Sequence, residues 1–106
     1  MRPGGMGNPM KALQKMQAEM ARVQEELSGD TVEASVGGGS VKVTMSGDLQ
    51  VRAITIDPAA VDTEDMSMLE DMVGAAVNEA LRMAQDLANT KMAKVTSSMG
   101  LPPGLI

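Results

Sequence analysis

The chain has 106 residues, a formal net charge of −5, and no Cys, His, Phe, Tyr or Trp. That composition leaves no thiolate nucleophile, no imidazole base and no zinc set of the usual kind. It also lacks the aromatic platforms on which unpaired bases stack, so a binding or structural role stands ahead of catalysis from the outset.

Residues 1–9 hold three Gly and two Pro and predict a flexible arm. A first helix follows from about Pro9 to Ser28, with Pro9 suited to the first turn and Asn8 placed to cap it. Its apolar positions Leu13, Met16, Met20, Val23 and Leu27 are spaced 3-4-3-4, the seam of a coiled coil, and Gly29 ends it. At Thr31 the period changes to two. Val32, Ala34 and Val36 predict a first strand, broken by Gly37-Gly38-Gly39. Val41, Val43 and Met45 predict a second, and Gly47-Asp48 a tight turn. Residues 49–56, LQVRAITI, predict a third strand, in which the alternation slips between Val51 and Ile54 as at a bulge. The second helix is expected from about Glu64 to Ser97, capped by Asp62 or Thr63, with Glu64 and Asp65 in its first turn. Along it run a seam of Leu69, Val73, Ala76, Ala80, Met83 and Leu87 and a stripe of Ala76, Ala80, Ala84 and Ala88. The tail SSMGLPPGLI cannot continue a helix.

The expected class is α+β: a long N-terminal helix, a three-stranded antiparallel β-meander and a long C-terminal helix. They form one domain over 1–106, with flexible ends at about 1–8 and 98–106. Its core is Val, Leu, Ile, Ala and a share of the 12 Met. Such a core is thin, so a homo-oligomer is expected rather than a stable monomer. No stretch nears the roughly 20 apolar residues that cross a bilayer. The start, MRPGGMGNPMK, has no apolar signal core, and a Cys-free chain needs no oxidising compartment, so the expected location is cytoplasmic.

No catalytic pattern is present. GGGSVK lacks the spacing of a phosphate loop and leads into a strand rather than a helix. Glu64, Asp65, Glu70 and Asp71 read as the solvated start of a helix, not as a metal site. No cofactor or metal is expected. The cations say more. Residues 1–22 carry a net +3, residues 23–86 a net −10 and residues 87–106 a net +2. At 100° per residue, Lys11, Lys15 and Arg22 fall within roughly 40° of each other, about 140° from the seam. The start of the first helix and the end of the second should project on one side of the sheet, bringing Lys11 and Lys15 near Lys91 and Lys94. An acidic body would then confine DNA contact to basic tips.

The segments KALQKMQAEMARVQEEL, GGGSVKVTMSGDLQVRAITIDP, MLEDMVGAAVNEALRMAQ and MGLPPG, in this order, resemble the YbaB/EbfC family of bacterial nucleoid-associated proteins. The resemblance runs from about Met10 to Gly104. It implies a tweezer-like homodimer whose helical arms leave a sheet-centred body. It also implies cytoplasmic, nucleoid-located binding of double-stranded DNA that alters DNA conformation, with effects on gene expression. DNA contact in the family lies on the first and last helices, which by position implies Lys11, Lys15, Arg22, Lys91 and Lys94. The alternative is a protein-interaction module that uses the heptad helix and a Met-rich surface and has no direct DNA role.

Overall fold

The computed structural model describes residues 9–98. The expected cap Asn8 and the expected flexible ends lie outside these residues, apart from Ser98, which closes the second helix. Helix α1 spans Pro9–Gly29, strands β1, β2 and β3 span Thr31–Val36, Val41–Ser46 and Val51–Ile56, and helix α2 spans Met66–Ser98. The strands form one antiparallel sheet in the order β1-β2-β3, the expected meander.

Register explains the apolar pattern. Val41, Val43 and Met45 pair with Val36, Ala34 and Val32 on one side and with Ile56, Ile54 and Val51 on the other. Directly opposed residues share a sheet face, so all nine point to the face that α2 covers. The register shifts where Thr44 pairs with Ala53 but Met45 with Val51, leaving Arg52 as the extra residue of a bulge. The slip in alternation marks this bulge, because Val51 and Ile54 share a face at a spacing of three. The third strand begins later than expected. Leu49 and Gln50 belong to a turn in which Ser46 O accepts from Leu49 N at 2.9 Å and Gln50 O from Ser46 N at 2.8 Å.

Between β1 and β2, Gly37, Gly38 and Gly39 all have φ between 63° and 95°. Side chains with a Cβ rarely adopt that region, and three successive glycines let the chain reverse there. The glycine run is therefore a hairpin connection. The start of α2 also differs from expectation. Asp62 and Asp65 close a separate turn, with Asp65 N donating to Asp62 O at 3.0 Å. Asp65 then caps the helix, its Oδ1 accepting from Met68 N at 3.3 Å. The first helical turn holds no acid.

Helix α2 meets the sheet through its small stripe. Ala76, Ala80 and Ala84 are fully buried against Ala34, Val41, Val43 and Met45, whereas Leu69, Val73 and Met83 flank this contact partly buried. The methyl groups set a close approach that larger side chains would prevent. Ala80→Leu barely changes helix propensity, so its cost reports packing alone. We expect a loss of about 2–3 kcal/mol, seen as a lower urea midpoint by circular dichroism. A second, smaller cluster joins Val23 and Leu27 of α1 to Leu87, Ala88, Met92 and Val95 of α2.

A single chain leaves apolar surface uncovered on β3 and on α1. Val51 and Ile54 on the inner face of β3 are each 46% exposed. Leu13 and Met20, in the first part of the α1 seam, are 48% and 41% exposed.

Candidate nucleic-acid interface

Helix α1 owes its regularity to a run of Ala, Leu, Gln, Lys, Met and Glu, all strong helix formers. Only its last two turns are held by the body. Leu27 is buried over Gly47, and Gly47 N donates to Asp30 O at 2.9 Å. The bulge aims Arg52 at the same helix end, where its Nη2 donates to Ser28 O at 3.3 Å. A cation on an otherwise unpaired carbonyl at a helix C-terminus is favourable.

The five expected basic residues fall into two groups. Lys11, Lys15 and Lys94 are exposed, and among the described residues none of them pairs with a carboxylate. Arg22 and Lys91 are engaged. The Arg22 guanidinium donates to Glu19 Oε2 from Nε at 3.1 Å and from Nη2 at 2.7 Å, and its Nη1 reaches Glu26. Glu19, first, and then Glu26 hold the Arg22 pKa above its ordinary value. Lys91 Nζ lies 3.0 Å from Glu26 Oε1 and 2.6 Å from Asp30 Oδ2. Asp30, first, and Glu26 raise the Lys91 pKa, while Lys91, ahead of Arg22, holds Glu26 below the usual carboxylate range. Glu19, Arg22, Glu26, Lys91 and Asp30 thus form one chain of alternating charge with a net of −1.

Arg22, Val23, Glu26, Lys91, Lys94 and Val95 line a groove of about 410 Å³ between the two helices. Arg22, Lys91 and Lys94 therefore do meet. Lys11 and Lys15 do not join them. They lie eleven and seven residues before Arg22, about 17 and 10 Å further along α1 at 1.5 Å per residue. With Val23 beside Val95 in an antiparallel pair, the level of Lys15 lies beyond the last described turn of α2. The shared direction of the two helices was legible from topology, but their offset was not.

Sequence reasoning missed Glu26 and Asp30 as partners of Lys91, and Arg52 as a brace on α1. The bulge was the one available signal for Arg52. Among the described residues no cluster of acids is arranged to hold a metal ion, and no helix is long and apolar enough to cross a membrane.

Comparison with known proteins gives the surface its context. The model of the YbaB/EbfC DNA-binding family matches residues 2–99. A nucleoid-associated protein of Moorella thermoacetica is 55% identical over 101 residues, covering 92% of this chain and 97% of that protein. One of Ruminiclostridium cellulolyticum is 46% identical over 102 residues, covering 96% and 89%. The fold is shared with a crystal structure of an uncharacterized Helicobacter pylori protein, at a TM-score of 0.68 and 20% identity over 85% of this chain and 91% of that one. With a family match spanning nearly its whole length and relatives at about half identity, the chain belongs to the YbaB/EbfC DNA-binding family.

Proposed function

We propose that this chain is a cytoplasmic nucleoid-associated protein that binds double-stranded DNA as a tweezer-like homodimer. Binding alters the conformation of the DNA and, through it, gene expression. The observation that carries the reading is the exposed set of Lys11, Lys15 and Lys94, without carboxylate partners among the described residues, on two helices that extend from an acidic body. Phosphates are attracted to those lysines and repelled elsewhere. The relatives' names as nucleoid-associated proteins support the same conclusion. Arg22 and Lys91 border the surface within their ion pairs. With no aromatic residue to stack on unpaired bases, duplex is preferred to single strands, and contact is to phosphates more than bases.

A second copy would bury what one chain leaves open: the inner face of β3 at Val51 and Ile54, and Leu13 and Met20 on α1. Analytical ultracentrifugation at micromolar concentration is expected to give twice the chain mass. A well-folded monomer would refute the dimer.

Three lysines per chain supply six phosphate contacts in a dimer. If four to six of them engage together, the logarithm of the binding constant falls with the logarithm of salt at a slope of about −4 to −5. A flat salt dependence would remove the duplex reading and favour the protein-interaction module, for which the exposed Met66 and Met68 offer a surface.

A further inference from the structure

We infer that Lys91 is a positioning residue for DNA binding, latching the α1 arm to α2 through Glu26 and Asp30 instead of contacting phosphate. The inference rests on the duplex-binding reading above.

The latch stands where the arm leaves the body. Lys91 is only 25% exposed, and its ammonium is shared between carboxylates at 2.6 and 3.0 Å. The Asp30 Oδ2 atom is buried, and among the described residues Lys91 Nζ, 2.6 Å away, is its sole charged partner. Drawing Lys91 away to a phosphate would break both ion pairs and leave that oxygen, in a side chain 37% exposed overall, without its counter-charge. The ionic chain around Lys91 has a net charge of −1, which offers a phosphate no attraction.

The apolar contact beside the latch is small: only Val23, Leu27 and Val95 are buried in it. The ion pairs therefore act together with this contact, the Gly47–Asp30 bond and the Arg52 brace in fixing the arm's direction. From Glu26 to Lys11 is fifteen residues, about 22 Å of helix. A tilt of roughly ten degrees at the latch would move Lys11 by about 4 Å on that lever. Binding by the lysines of two arms depends on their being held at a fixed separation, because effective concentration falls when geometry wanders.

Two variants separate the latch from a direct contact. Lys91→Met removes the charge and keeps most of the stem. The double variant Glu26→Gln with Asp30→Asn removes two negative charges beside the DNA surface. Simple charge attraction predicts that the second variant binds duplex more tightly, whereas the latch predicts weaker binding. We expect each to lose about fivefold or more in affinity, with the salt slope staying within about 0.5 of the parent. A Lys91 that touched phosphate in both copies would take almost two units from the slope.

Arm direction is read directly. The chain has no Cys, so spin labels at Gln14→Cys and Thr55→Cys, diluted with unlabelled chain, report the distance from arm to sheet by electron–electron resonance. That distribution should broaden in both variants while the circular dichroism spectrum is kept. Tighter binding by the acid-less variant, a slope reduced by two in Lys91→Met, or an unchanged distance distribution would each overturn the latch. If the parent chain fails to bind duplex, the duplex reading falls and the distance distribution alone decides the latch.

Discussion

Replacing Lys11 and Lys15 together by Glu is expected to weaken duplex binding by about tenfold or more at physiological salt. Each chain loses two cations and gains two anions, so a dimer loses four of its phosphate contacts. At about 0.9 per contact the salt slope should flatten by about 3.6, removing most of the salt dependence. The fold should be untouched, because both side chains are exposed and lie opposite the α1 seam. Lys42→Glu is the control. Lys42 is also exposed, but it pairs with Ser35 and Thr55 on the outer face of the sheet, in the acidic body. It should change affinity much less. A Lys11/Lys15 variant that binds like the parent would refute contact through the arms and move the protein-interaction module ahead.

Gly47→Ala is expected to be strongly destabilising for a change of one methyl group. A Cβ at this position would stand 2.7 Å from Leu27 Cδ2, 2.8 Å from Leu27 O and 3.1 Å from Leu27 Cα. Two of those atoms are backbone in the last turns of α1, which Gly47 also holds through its bond to Asp30 O. Relief requires the helix end to move away from the turn, breaking that bond and opening the cluster under Val23 and Leu27. We expect a loss of about 3 kcal/mol. For a domain of this size the melting temperature would fall by well over about 10 °C. Gly74→Ala offers the contrast. Gly74 lies within α2 and nothing stands within 4 Å of an added Cβ. The same chemical change there should stabilise by about 0.5–1 kcal/mol. Equal effects at the two sites would contradict the close approach of α1 to the β2–β3 turn.

Most of the fold was legible because its signals are local. The change from a period of 3.6 to a period of two at Thr31, the glycine run and the slip at Arg52 each depend on a few neighbouring residues. The buried faces of Ala76, Ala80 and Ala84 also followed from spacing along one helix. What the spacing could not supply was level. A helical wheel gives the face of Lys91 but not which turn of α1 stands opposite, so its partners Glu26 and Asp30 stayed hidden. The same limit misplaced Lys11 and Lys15 beside Lys91 and Lys94. Asp62 and Asp65 are equally good caps by residue type. The choice between them rests on a turn at Asp62 that only the folded chain displays. Strict alternation would put Val51 and Ile54, three apart, on opposite faces; the bulge turns both inward, and only the folded chain shows that α2 lies over β1 and β2 and leaves them open.

The bulge at Arg52 also governs how far association can go. An outermost strand offers unpaired N–H and C=O groups, and a long regular one invites stacking of chain upon chain. Here β3 is split into two short stretches whose inward residues fall out of step across Arg52. A neighbouring strand that matches Ile54 and Ile56 arrives out of phase at Val51, and the added twist turns the edge away. A charged side chain at the break adds a further deterrent to growth. With Val51 and Ile54 each 46% exposed, this irregularity disfavours edge-to-edge stacking of one chain upon another.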